Sequence, residues 1–216
     1  MSKINSAIVI DFETGGLDCK KNPAIQVAYQ AVQLDDYKLI LEYSSYIQPY
    51  DGLEIQKAAT DYSGITYEMM MSGLDTKRLV KKLCEDFTEA NTSKNFRTKP
   101  FLVGHNIGFD IGFLLYLFNK EKVDISKFLN CNHGMPTSID TILLAKQKWA
   151  NDPTVSKYNL GACVAKAGIA LTDAHDALND VRATKELFFY FTNNLRTGGA
   201  ISEESKAIRV RNHFKF

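Results

Sequence analysis

A chain of 216 residues, 45% of them hydrophobic, is long enough to bury a full core as one domain. Its 26 basic and 25 acidic side chains leave a net charge of +1, which excludes a polybasic nucleic-acid coat and an acidic tail and confines any nucleic-acid contact to a local groove. Cys19, Cys84, Cys131 and Cys163 are widely spaced with no CxxC pair, so they read as free thiols; with no signal-peptide core and no apolar run near the ~18 residues of a membrane span, the expectation is a soluble, cytoplasmic protein.

The first predicted element is a buried strand, Ile8-Val9-Ile10, running into Asp11-Phe12-Glu13 and a Gly15-Gly16 turn. Side chains alternate along a strand, so Asp11 and Glu13 share one face and Phe12 takes the other. A second strand is expected over Ile25 to Leu34 and a third over Leu39 to Ile47, joined by short turns as an antiparallel meander. Pro49 to Gly64 is a connection with a short helix around Glu54 to Thr60, and Thr66 caps another. Asp75 starts a longer helix with Leu79, Leu83 and Phe87 on one face. Asn91 to Pro100 is an exposed loop, in which Lys94, Arg97 and Lys99 are basic residues within reach of a phosphate backbone or simply solvated.

Pro100 to Asn106 reads as a strand entering a turn, and Asp110 to Asn119 as a short helix that is apolar on nearly every side and therefore buried. Ser138 to Thr141 is a strand end leading into a helix through Trp149, and Tyr158 to Gly168 carries another helix. The last helix is expected from about Asp176 to Asn194, with Asp176 as its N-cap. Its apolar face holds Ala177, Leu178, Val181, Leu187, Phe188 and Phe191, and Asp180 falls inside that face. The domain is placed at 1–197, followed by a tail at 198–216 whose Lys206, Arg209, Arg211 and Lys215 form either a basic arm or a frayed end.

Four carboxylates thus sit where the pattern says core. Each has an ordinary explanation alone: Asp110 favours a helix N-terminus, Asp180 pairs with a basic residue, and Asp11 and Glu13 accept backbone hydrogen bonds. Together they need four explanations where one metal site suffices. An unpaired buried ion costs several kcal/mol and a like charge beside it adds to that, roughly, whereas all-oxygen ligation suits Mg²⁺ or Mn²⁺. His175 stands five residues before Asp180, ahead of the helix, where an imidazole reaches a metal-bound water; His105 is expected to support a strand end.

Asp11-Phe12-Glu13-Thr14-Gly15-Gly16-Leu17, then Gly104-His105-Asn106-Ile107-Gly108-Phe109-Asp110-Ile111-Gly112-Phe113, then His175-Asp176-Ala177-Leu178-Asn179-Asp180 resemble the three motifs of the DEDDh (DnaQ-like) 3′–5′ exonucleases, a family that includes the epsilon-type proofreading subunits of replicative polymerases. Gly64-Ile65-Thr66, Ile139-Asp140-Thr141 and Leu160 look like further landmarks, and the resemblance spans roughly Ile8 to Phe189. Three ordered motifs are far more specific than a lone DxE. The resemblance implies an α/β, RNase H-like fold: a mixed five-stranded sheet, its first three strands antiparallel, flanked by helices. Two departures stand out. The commonest first motif has a second Thr where this chain has Gly15, and a His often precedes Gly-Ile-Thr where this chain has Ser63.

What the resemblance implies for chemistry is a pair of divalent ions, Mg²⁺ or Mn²⁺, about 3.5–4 Å apart on the scissile phosphate. In that scheme Asp11 bridges both ions, Glu13 and Asp180 complete the site nearer the nucleophilic water, Asp110 serves the other ion, and His175 is the general base. Thr14, Gly15, Leu17, Asn106 and Phe109 become the substrate-binding set: backbone near Thr14 against the terminal nucleotide, Leu17 wedged beside the last base, Phe109 packed close to it. The implied substrate is the 3′ end of single-stranded or frayed DNA, cut to nucleoside 5′-monophosphates, with a polymerase or other replication complex as partner. RNA trimming by an exoribonuclease or oligoribonuclease of the same family stays open, because no residue reads a 2′-hydroxyl. A non-catalytic nucleic-acid-binding subunit is the reading from another class; loss of a carboxylate or the His marks that state, and all five are present.

Overall fold

The computed structural model describes residues 5–92, 98–170 and 176–196. The chain opens with β1 (Ser6–Thr14), β2 (Ala24–Gln33) and β3 (Leu39–Tyr46). Three helices follow, α1 (Lys57–Ser63), α2 (Tyr67–Ser72) and α3 (Thr76–Ala90). Then come β4 (Phe101–Gly104), α4 (Ile107–Lys120), a 3₁₀ turn (Ile125–Lys127) and a two-residue hairpin, β5 (Cys131–Asn132) with β6 (Met135–Pro136). The described chain closes with β7 (Ser138–Asp140), α5 (Thr141–Lys148), α6 (Leu160–Ala167) and α7 (Ala177–Arg196). The main sheet has five strands in the order β3-β2-β1-β4-β7. β1, β2 and β3 pair antiparallel, whereas β4 lies parallel to β1, and β7 to β4.

The two faces of β1 feed two cores. Ile8, Ile10 and Phe12 point toward α3 and α4, joining Leu79, Leu83, Phe87, Ile111, Leu114 and Phe118. Ala7 and Val9 point the other way and pack with Ala28, Val103, Ala177, Val181 and Phe188 under α7. A third cluster, around Trp149, Cys163, Leu187 and Phe191, seats α5 and α6 on the outer flank of α7. Covering both faces is what the near-continuous apolar runs of β1 and β2 demand.

Helix ends follow the expected chemistry. Asp75 accepts from Arg78 N–H at 2.8 Å as the cap of α3, and Thr66 caps α2. The helix expected from Asp110 begins earlier, at Ile107, because Asn106 takes a left-handed turn (φ 72°) and leaves Asp110 in the first turn rather than at the start. The helix expected around Glu54 to Thr60 is displaced to Lys57–Ser63; Glu54 and Gln56 instead hydrogen-bond with the loop after β1 through Lys21 O and Gly15 O. The β5–β6 hairpin lacks the length of a patterned strand and was not expected from periodicity. Lys94 and Arg97 lie outside the described residues, and the Lys99 ammonium is held by the Ser126 carbonyl rather than offered to a phosphate. No helix among the described residues is long and apolar enough to cross a membrane.

Candidate active site

The parallel strands β1, β4 and β7 run the same way, and the crevice beyond their carboxyl ends is where open α/β sheets place ligands. β4 pairs with β1 only along Ala7, Ile8 and Val9, so β1 continues past its neighbour. The continuing segment carries Asp11 and Glu13. Both extend the Ala7–Val9 face, the face that α7 covers. A register shift between Glu13 and Thr14 breaks the ladder with β2 one pair before its end.

Asp180 comes from the first turn of α7, whose Ala177 and Val181 are wholly buried against the sheet. Packing those two residues turns Asp180 toward β1. One carboxylate oxygen each from Asp11, Glu13 and Asp180 lies within 4.8 Å of the others. Asp110 arrives from the opposite layer on α4. It is 3% exposed, and its Oδ1 accepts the Phe12 N–H at 3.0 Å, the backbone donor left over where β4 stops. Asp110 therefore abuts the cluster at the sheet edge without being one of the three that share the 4.8 Å radius.

The electrostatics follow from this crowding. Burial first, and the charges of Asp180 and Asp176 next, push the Asp11 carboxyl up to about 7. Burial, then Asp11, Asp180 and Asp176, push Glu13 to about 8. Burial and the Asp11 charge likewise raise Asp110 well above the usual carboxylate range, against the lowering effect of the Phe12 N–H. Among the described residues, every charge acting on these three is another carboxylate. Asp110 and Asp180 each occupy the first turn of a helix, where the positive end of the macrodipole offsets part of the repulsion. All-oxygen donors, several of them carboxylates crowded on one strand end, are the donor set that fits a hard divalent cation.

The remaining described site residues lie at the end of β1, in the loop after it and at the start of α4. Thr14 spends its hydroxyl on Gly16 O at 2.8 Å. Gly15 donates to Pro23 O, and a Cβ there would stand 3.0 Å from Pro23 Cδ and 3.3 Å from Ile55. A second Thr, as in the commonest motif, would require Pro23 and Ile55 to give by a few tenths of an ångström. Gly16 is tighter still: its Cβ would lie 2.4 Å from the Asn22 amide, which is fixed by Asp18 N–H and Glu54 O. That turn projects Leu17 into solvent at 84% exposure. Phe109 is half-buried with its ring 5.0 Å from Phe113, so it carries packing as well as any substrate contact. Asn106 is exposed, and its backbone N–H is held by Asp140 Oδ1 at 3.1 Å. His175 lies outside the described residues; Asp176, which follows it, caps α7 by accepting from Leu178 and Asn179 N–H.

Two supporting residues, Asp140 and Gln26, escaped the sequence reasoning as site elements, and His105 joins them in the expected supporting role. Asp140 caps α5 through Ile142 N–H at 2.9 Å while holding Asn106, tying two strand ends together. His105 links the same turn to Thr141 Oγ1 and to the Tyr158 carbonyl, both at 2.8 Å, in keeping with its expected supporting role. Gln26, directly across from Glu13 in the β1–β2 register, bonds to Asp176. The available signal was a pair of glutamines, Gln26 and Gln30, in a strand that is otherwise apolar and buried up to its last residue, Gln33.

Comparison with known proteins gives a coherent result. The family model described as Exonuclease (RNase_T) matches residues 8–188. A DNA polymerase III PolC-type protein of Thermotoga petrophila is 30% identical over 192 residues, which is 89% of this chain and 12% of that protein. The chain therefore spans only about an eighth of the curated relatives it matches. Among solved structures, E. coli Exonuclease I in complex with a dT13 oligonucleotide superposes with a TM-score of 0.70 at 20% identity, covering 89% of this chain and 42% of that one. A zinc-bound form of an E. coli Exonuclease I–single-stranded DNA complex gives 0.73 at 19%, covering 89% and 41%. These likenesses concern the fold, and the expected five-stranded mixed sheet with flanking helices is the one observed.

Proposed function

The chain belongs to the RNase_T exonuclease family, with its RNase H-like fold, and from that premise we propose that it is a divalent-metal-dependent 3′–5′ exonuclease acting on single-stranded or frayed DNA and releasing nucleoside 5′-monophosphates. The observation that carries the reading is the gathering of Asp11, Glu13 and Asp180 within 4.8 Å, with Asp110 against the same strand and Asp180 and Asp176 acting on both Asp11 and Glu13. Such a cluster is electrostatically costly unless cations complete it.

Asp11, Glu13 and Asp180 would hold one or two Mg²⁺ or Mn²⁺ ions, with Asp110 contributing from the sheet edge. When bound, these ions supply Lewis acidity, lowering the pKa of a water and offsetting charge on the scissile phosphate. The four carboxylates fix donor positions from two faces of one strand, so little reorganisation is left for the reacting state. His175 takes the proton from the attacking water, a role worth about 10²–10⁴-fold. Leu17, which is exposed, would part the last base from its neighbour, and Phe109 would lie beside it; neither contact depends on base identity, which suits an enzyme that removes whatever nucleotide is terminal. The PolC-type relatives and the oligonucleotide-bound Exonuclease I structures support DNA rather than RNA, and a replication complex as the setting.

The test is an end-labelled oligonucleotide, single-stranded or with a mismatched 3′ terminus, incubated with Mg²⁺ or Mn²⁺ and scored for mononucleotide release from each end. Stepwise loss from the 3′ end that stops in EDTA is expected. Release from the 5′ end, internal cleavage, or activity untouched by chelation overturns the reading. A matched RNA oligonucleotide in the same assay decides the sugar preference.

A further inference from the structure

Gln26 ties the second strand of the sheet to the start of the last helix, on a side chain that is only 4% exposed. Its Nε2 donates to Asp176 Oδ2 at 3.3 Å and its Oε1 accepts the Ala177 N–H at 3.5 Å, across 150 residues of chain. The other oxygen of Asp176 is engaged with the helix, accepting from Leu178 N–H at 3.1 Å and Asn179 N–H at 3.2 Å. One amide therefore grips both the capping residue and the first helical residue of α7. On the sheet side Gln26 stands directly opposite Glu13. Asp180 lies one turn into the same helix, with its N–H on the Asp176 carbonyl at 3.0 Å.

We infer that Gln26 is a positioning residue for the metal-binding cluster: it sets the first turn of α7 on β2, and through Asp176 holds Asp180 in register with Asp11 and Glu13. An amide is the residue type this place requires, because it donates to a carboxylate and accepts from a backbone N–H at once. A carboxylate there would face Asp176 and Glu13 with like charge. An aliphatic side chain would leave a buried N–H and a carboxylate oxygen without their partner. Asp176 is close enough for its charge to act on both Asp11 and Glu13, so a shift of its carboxylate alters the field at the cluster as well as the geometry. Gln30, on the same face of β2, is as deeply buried, yet its amide turns to Glu42 instead. It separates the loss of a buried amide from the loss of this particular contact.

The inference rests on the cluster being a metal-dependent hydrolytic centre, and the experiment keeps the two apart. Mn²⁺ binding to the full chain is measured by calorimetry without DNA, beside kcat and KM on a single-stranded oligonucleotide. Gln26→Leu is expected to weaken Mn²⁺ binding and lower kcat by about 10-fold, the low end of the cost of losing a direct partner of a metal ligand because Gln26 acts on Asp180 through Asp176, with KM within about threefold. Gln30→Leu is expected to leave both within about threefold. Asp176→Ser keeps a hydroxyl acceptor for the helix cap but removes the partner of Gln26; it is expected to match Gln26→Leu, and the double variant to lose no more than the worse single one. Asp176→Ser also stands as the test where Gln26→Leu does not fold. Wild-type Mn²⁺ binding and turnover in Gln26→Leu, equal losses in Gln30→Leu, or additive losses in the double variant overturn the role of Gln26 alone. A wild-type chain that neither binds Mn²⁺ nor releases nucleotides overturns the hydrolytic reading beneath it.

Discussion

Replacing Asp11 with Asn removes the central charge of the cluster with little change of shape, and the consequence for the metal-free protein follows from its raised pKa. In the unfolded chain this carboxyl ionises near 3.8, whereas in the folded protein it holds its proton to about 7. Between those values the native state binds a proton that the unfolded state has released, so this group's contribution is intact below about pH 4 and is lost as pH rises to 7. At about 1.4 kcal/mol per unit, the span of roughly three units corresponds to on the order of 4 kcal/mol. For a chain of this size that is a fall of roughly 8–16 °C in melting temperature. Glu13 adds to it in the same direction, but its rise is partly the Asp11 charge itself, so the two are not summed. Thermal unfolding in EDTA at pH 4.5 and pH 8 is the assay. The wild type should be appreciably less stable at pH 8. Asp11→Asn should show a smaller drop, the part due to burial of Glu13 and Asp110 remaining, and should exceed the wild type at pH 8 by several degrees. Mn²⁺ should then raise the wild type at pH 8 and leave the variant nearly unmoved. A wild type whose EDTA melting temperature is the same at both pH values, or an Asp11→Asn variant less stable at both, refutes the claim that the cluster is held together against its own repulsion.

Other expectations concern separate parts of the molecule. His175→Ala should lower kcat by about 10²–10⁴-fold and leave oligonucleotide affinity nearly unchanged; equal turnover removes His175 from the mechanism. Asp140→Ala strips the acceptor from both Asn106 and Ile142 N–H, and should cost about 1–3 kcal/mol in a urea melt while raising KM, since it frees the turn that carries Asn106 and Phe109. Leu83→Ala, at a wholly buried position between α3 and the sheet, should destabilise by about 2–5 kcal/mol in the same melt and leave the kcat of the folded fraction intact.

The relatives frame how far the reading extends. A PolC-type protein is about eight times the length this chain covers, and the Exonuclease I chains more than twice. What is shared is the sheet and its flanking helices.

Much of this was legible because it is local. Alternation along β1 was enough to put Asp11 and Glu13 on one face, and Asp75 and Thr66 announced the helices they cap by residue type alone. The spacing of Ala177, Asp180 and Val181 was enough to aim Asp180 at the sheet, because a helical stripe that must be buried carries its polar member with it. Where local signals misled, a distant partner was responsible. α4 starts at Ile107 because Asn106 can hold a left-handed turn that Asp140, 34 residues on, fastens. α1 lies three residues later than its composition suggested because Gln56 and Glu54 are pledged to the loop after β1.

What the chain's own order of residues determined, then, is the identity and succession of its elements, the face each acid occupies, and the motifs that mark its family, all of which depend on neighbours a few positions apart. What only the folded molecule decided is the convergence: Asp110 on the Phe12 N–H that β4 stops too soon to use, Gln26 on Asp176 across 150 residues, and three carboxylates within 4.8 Å. Those contacts are set by where strands end and how helices pack against them, and neither quantity is written in any single stretch of sequence.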